Sequence, residues 1–162
     1  MTMDHLASDP PRLPQGAQPP RLIVCERSGE WAASLRRELP ARGARLSETR
    51  SLAECWQLLA RSPSSFVVLE LIEAGADALL DRLAHAQRRF PLASVAVVAE
   101  RELADYEPLV REAGAVHFVA SLRQCRPLAE LACRHLDQAA RPRRNLAEAI
   151  WARLPWGGAS GS

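Results

Sequence analysis

The stretch Phe66-Val67-Val68-Leu69-Glu70-Leu71 is an apolar run interrupted by a single acid. A strand with one wet face alternates apolar and polar residues; a Val- and Phe-rich run without alternation marks a strand buried on both faces, as in the middle of a parallel sheet. Parallel neighbours require crossover connections that cover both faces, so the sequence on either side has to supply helices. At the carboxyl end of a central strand in such a sheet, loops open into the crevice where ligands bind. Glu70 stands at that end and is the first candidate site residue.

The flanking sequence supplies the helices. Residues 1–20 carry Pro10, Pro11, Pro14, Pro19 and Pro20 among small and polar residues, which predicts a disordered or polyproline-like tail. Arg21 to Cys25 reads as the first strand, with Ser28 as cap of a helix bearing Trp31, Leu35 and Leu39 on one stripe. Pro40 and Gly43 stop that helix. Ala44 to Thr49 follows as a second strand, and Ser51-Leu52-Ala53-Glu54 is a capping box opening a helix with Leu52, Cys55, Trp56 and Leu59 inward. Beyond the Phe66 strand and a loop containing Gly75, the residues Leu79, Leu80, Leu83 and Ala86 mark a third helix closed by Pro91.

Ala93 to Ala99 is a fourth strand, and Leu103, Tyr106, Leu109, Val110 and Ala113 then recur at helical spacing up to Gly114. Ala115 to Val119 makes a fifth strand, and Pro127 opens a helix whose apolar stripe is Leu128, Leu131, Ala132, His135, Leu136 and Ala139. Five strand-then-helix units joined by right-handed crossovers give an α/β domain, a doubly wound five-stranded parallel sheet. The domain spans residues 21–140, between the Pro-rich tail 1–20 and a segment 141–162. In that last segment Leu146, Ile150 and Leu154 define a short helix over residues 145–154, with Trp151 beside the stripe, followed by a flexible end.

Composition narrows the chemistry. All 21 basic residues are Arg, so no amine is available for Schiff-base or lysine–phosphate chemistry. A net charge of +2, spread through the chain, gives no basic block to hold nucleic acid. Cys25, Cys55, Cys125 and Cys133 form no CxxC pair and lack His at finger spacing, so neither a metal site nor a redox motif is predicted and the thiols read as small buried hydrophobes. The first twenty residues hold no apolar block long enough for a signal peptide, and no apolar run in the chain approaches membrane-spanning length, which predicts a cytoplasmic protein without membrane contact. His117 has no acidic sequence neighbour and His135 lies on a helix stripe, so both are predicted to be structural.

The order of the units, Leu69-Glu70-Leu71 on the third strand, Asp77-Ala78-Leu79 entering the third helix and Gly114-Ala115 before the fifth strand together resemble a response-regulator receiver domain, of flavodoxin-like fold, over residues 21–140. That resemblance implies two acids after the first strand to hold magnesium, an aspartate phosphoacceptor on the third, a hydroxyl on the fourth and a lysine on the fifth. The metal and the lysine would neutralise charge on the transferred phosphoryl group. In this chain the acid pair reads Glu26-Arg27, the phosphoacceptor position Glu70, the hydroxyl position Ala99, the lysine position Ser121, and the residue after the acceptor that is often proline reads Ala74. Phe118 occupies the position of the family's aromatic switch. A guanidinium repels a divalent cation and pairs with carboxylates, so Arg27 is expected to stand where the metal would and to pair with Glu70.

The expectation is therefore a degenerate, phosphorylation-independent receiver with no cofactor, no metal and no enzymatic activity. It would act through a protein partner or as a homodimer, using the fourth helix, fifth strand and fifth helix, the face the resemblance marks for dimers and effectors. Arg101, Arg111, Arg123, Arg126 and Arg134, interspersed with Glu102, Glu112 and Glu130, would form ion pairs across that interface. Two alternatives stand beside it: a receiver that accepts phosphate on Glu70 in a two-component pathway, with Glu26 as remaining metal ligand, and a small-ligand module using the same crevice.

Overall fold

A computed structural model of the chain describes residues 13–41, 44–139 and 141. Most of the Pro-rich tail, Gly43 and the 145–154 helix lie outside the described residues. Five parallel strands form one sheet: β1 (Leu22–Cys25), β2 (Leu46–Thr49), β3 (Phe66–Leu71), β4 (Ser94–Ala99) and β5 (His117–Val119). Their order is β2-β1-β3-β4-β5, so the chain runs outward one way from β1 and then returns across it to β3. The reversal places the ends of β1 and β3 side by side, the position at which a doubly wound sheet opens its crevice.

Alternate residues of β3 enter different cores. Val67, Leu69 and Leu71 join the layer built by α2 (Leu52–Arg61), α3 (Ala76–Arg89) and α4 (Glu107–Glu112), whereas Phe66 and Val68 join the layer of α1 (Glu30–Glu38) and α5 (Cys125–Gln138). The non-alternating run thus has the explanation its composition predicts: both faces are dry, and only Glu70 keeps partial exposure. The capping box is observed in its Ser51 half, and Glu54 reaches one residue past the cap. Ser51 Oγ accepts from the Glu54 N–H at 3.2 Å, while the Glu54 carboxylate accepts from the Arg50 N–H at 3.1 Å.

Four expectations are corrected in detail. Ser28 does not cap α1: the cap position is Gly29, at φ 88° in the left-handed region that suits glycine, and Ser28 Oγ accepts only from the Glu30 N–H at 3.3 Å. The apolar spacing from Leu103 to Ala113 is not one helix, because a 3-10 stretch, Arg101–Tyr106, precedes α4. Pro108 explains the division: it lacks an N–H, so it is accommodated in the first turn of α4 but not inside a helix begun at Leu103. The fifth strand is shorter than Ala115 to Val119, although the Val116 N–H still donates to Val95 O at 2.8 Å. Finally, α5 begins at Cys125, two positions before Pro127, after a 3-10 turn over Leu122–Gln124.

Gly114 ends α4 as predicted, at φ 114°, a conformation an L side chain rarely adopts. At the amino end of the sheet, residues 13–20 include a turn with Ala17 N–H donating to Pro14 O at 3.2 Å, and Gln18 N–H donates to Arg61 O at 2.7 Å. No described helix is long and apolar enough to cross a membrane.

Candidate functional site

The crevice is organised by where its two carboxylates point. Glu26, the first residue after β1, is only 2% exposed. One of its oxygens accepts from the Trp31 N–H at 2.9 Å and the other from the Ala32 N–H at 2.6 Å. These are the second and third N–H groups of α1, which a helix leaves without internal partners. Gly29 occupies the cap position and has no side chain to serve them; Glu26, three residues earlier, does so with a full negative charge at the positive end of the helix.

Two further bonds hold the same loop. The Arg50 guanidinium, from just beyond β2, donates to the Glu26 carbonyl at 3.2 Å and to Glu48 at 3.0 Å, and Arg36 of α1 also pairs with Glu48. From the other side, Glu70 Oε2 accepts the Arg27 main-chain N–H at 2.8 Å. This corrects the predicted ion pair: the described residues include no Arg27–Glu70 pairing through the guanidinium, and the Arg27 side chain is exposed. The distinction is physical, since a carboxylate satisfied by a fixed main-chain donor does not depend on ordering a long side chain at the surface. Arg50 was missed in the sequence because its role rests on β2 lying beside β1, which no local spacing encodes.

The remaining candidate positions divide between the two faces. Ala99 pairs in register with Leu71 and is wholly buried in the α2–α3–α4 layer, as is Phe118 apart from 7% exposure. Neither meets Glu70 on its own face. Ser121 follows β5 and spends its hydroxyl on a turn, accepting from the Arg123 N–H at 3.3 Å. Ala74 is exposed within the short 3-10 turn Glu73–Gly75 between β3 and α3. Glu26, the Arg27 main chain and Glu70 are thus brought together, while Ala99, Phe118 and Ser121 sit in separate settings.

The histidines are accounted for locally. His135 Nε2 lies 3.0 Å from the Ser64 carbonyl, and its ring stands edge-on to Phe66 with centroids 5.5 Å apart. His117 is half-buried on β5, where burial first and the Arg111 charge second push its pKa below the ordinary 6.5. Of the arginines expected on the α4–β5–α5 face, Arg111 pairs with Glu107 at 2.9 Å and Arg126 with Glu130 at 3.2 Å, each within its own helix. Beside these exposed arginines three large apolar side chains are also exposed: Leu109 of α4 at 52%, Val116 just before β5 at 42% and Leu122 in the turn before α5 at 39%. A cavity of about 20 Å³ bordered by Leu83, Phe90, Gly114 and Val116 lies at the opposite, amino end of β4 and has room for about one water.

Among solved structures, the chain is similar to a response regulator from Thermotoga maritima, with a TM-score of 0.61 and 18% identity over 74% of this chain and 99% of that one. The fold is that of a response-regulator receiver domain. An orphan response regulator of H. pylori matches at a TM-score of 0.58 with 18% identity, covering 76% of this chain and 99% of the other. A beryllofluoride-activated NtrC4 receiver domain dimer matches at 0.58 with 17% identity, covering 72% and 98%. The match takes in almost the whole of each of these chains and about three quarters of this one. Sequence comparison matches no family model and no curated protein.

Proposed function

We propose that this chain is a receiver-like signalling module that works without phosphorylation, through a protein partner bound at α4, β5 and α5. The observation that carries the reading is the commitment of both crevice carboxylates to main-chain donors. A receiver-type magnesium site needs several oxygens free to face the ion. Both Glu26 oxygens serve α1, Glu70 holds the Arg27 N–H, and an exposed guanidinium stands at the second acid position. The described residues place no group of three or more His, Cys, Asp or Glu where it would hold a metal. The residues present do not fit magnesium.

Phosphoryl transfer also requires groups that follow the charge of the transferred oxygens. Ala99 has no hydroxyl, and Ser121 is neither cationic nor free of its turn. With no charge change to propagate, the module would present one fixed surface, cytoplasmic and non-enzymatic. Leu109, Val116 and Leu122 supply apolar contact on that flank, and the resemblance of the fold to a receiver domain dimer makes a second copy one candidate partner.

The test is intact-mass measurement after incubation with magnesium and acetyl phosphate. The protein is expected to stay unmodified. An added phosphoryl group that disappears in Glu70→Gln would overturn the reading in favour of a phosphoacceptor.

A further inference from the structure

The apolar flank of α4 and β5 has a definite charge around it and a definite place on the sheet. Val116 leads into β5 at the amino end of the sheet, where its N–H donates to Val95 O at 2.8 Å. Its carbonyl accepts from the Arg111 guanidinium at 3.3 Å, which ties the start of β5 to α4, the helix that exposes Leu109. Val116 also borders the small cavity at the amino end of β4, so a side chain laid on it has a recess beside it. Residues 100–112 carry Glu100, Glu102, Asp105, Glu107 and Glu112 against Arg101 and Arg111, a surplus of negative charge. The occupant that suits this surface is an apolar stripe flanked by arginines.

The chain's own next segment has that chemistry and begins within reach. α5 runs toward the amino end of the sheet, since His135 in its last turn meets the carbonyl of Ser64, just before β3. β5 lies two strands from β3, about 10 Å at the usual strand spacing. Residues 139–144, when extended, span up to about 20 Å. After them Leu146, Ile150, Trp151 and Leu154 recur at helical spacing, and residues 141–154 carry Arg141, Arg143, Arg144 and Arg153 against Glu148 alone. A helix over residues 145–154 would be about 15 Å long. That length covers one end of β5, with Val116 and Leu109, and stops short of Leu122 beyond the other end.

We propose that residues 145–154 dock in cis on Leu109 and Val116, with their flanking arginines toward the acidic residues of 100–112. The inference rests on the reading of this flank as the binding surface and names its first occupant: in the free chain the surface is covered from within, and a partner has to displace that cover. The charged part of the contact is solvent-exposed, so added salt weakens it.

The experiment is hydrogen exchange of the full-length protein, read by mass spectrometry on peptides covering residues 145–154. A helix this short is marginal in water on its own, so protection of its amides requires docking. The wild type is expected to show protection that does not change with protein concentration. Leu109→Asp and Val116→Asp, both remote from the segment in sequence, should each speed its exchange roughly tenfold by raising the population of the open form, while Leu122→Asp leaves it unchanged. Exchange in the wild type as fast as in both Asp variants would overturn the proposal. So would equal acceleration by Leu122→Asp, or protection that grows with protein concentration and so assigns the segment to a second copy. Both altered positions are exposed, and should one variant fail to fold, the other decides. Failure here leaves the flank open to a separate partner, whereas the phosphorylation-independent reading stands or falls by intact mass after acetyl phosphate.

Discussion

The crevice above β1 and β3 commits its two carboxylates to main-chain donors, while the flank of α4 and β5 leaves large apolar side chains uncovered. In the crevice, Glu26 and Glu70 find main-chain N–H groups within 2.9 Å and lie under a loop that Arg50 brackets from the far side. On the flank, Leu109, Val116 and Leu122 remain open although the core is only one residue away at Val110. Polar groups that satisfy each other inside a fold stabilise it but offer little to a ligand, whereas exposed apolar side chains gain by being covered. The difference teaches that carboxylates at the ends of central strands can serve the fold's own main chain, as Glu26 and Glu70 do here.

The first way to break this comparison is to test the scaffold both regions share. Val68→Ala removes two buried methyl groups from a strand covered on both sides and should destabilise by roughly 1 to 3 kcal/mol, read from the denaturant midpoint. A negligible change would mean that β3 is not central, and the positions of the crevice and flank would fall with it.

Next comes the crevice. Glu26→Ala leaves two N–H groups of α1 without partners in a buried site, with an expected cost of about 1 to 3 kcal/mol and faster amide exchange at Trp31 and Ala32. Arg27→Ala should be much milder, because only its main chain takes part and alanine retains it. Equal losses in the two variants would show that the Arg27 side chain matters after all.

Leu109→Asp sharpens the other half. Its side chain contributes little to the core, so the denaturant midpoint should hardly move, while any concentration-dependent dimer in analytical ultracentrifugation should dissociate. Loss of stability without change in association would make the exposed leucine a folding residue and remove it from the proposed surface.

The smallest effect concerns pH. His117 has its folded pKa below the unfolded value of 6.5, so the unfolded chain binds more protons near that pH. Its contribution to stability is fully present above 6.5 and is lost as pH falls through the folded pKa. His117→Asn should flatten that part of the stability profile; an unchanged slope would assign it to other groups.

Sheet and helices were legible in the sequence because burial on both faces leaves a local mark, as in Phe66–Leu71, and because caps such as Ser51 and Glu54 act over three residues. The crevice was legible as a set of positions and not as a set of bonds. Glu26 reaches α1 only because Gly29 turns through a left-handed conformation, and Glu70 reaches the Arg27 main chain only because β1 and β3 are neighbours. Long cationic side chains suggest ion pairs to a reader of sequence, but main-chain donors carry no residue type and leave no trace in it. The division before α4 was visible in Pro108, and the apolar spacing from Leu103 to Ala113 obscured it.

The central claim is that Glu26 belongs to α1 and not to a metal. It is tested most directly by following the melting temperature of the wild-type protein as magnesium is raised at constant ionic strength. Since a ion that binds the folded state raises its melting temperature, the account predicts no dependence on magnesium. A rise that saturates with magnesium and vanishes in Glu26→Gln would contradict it.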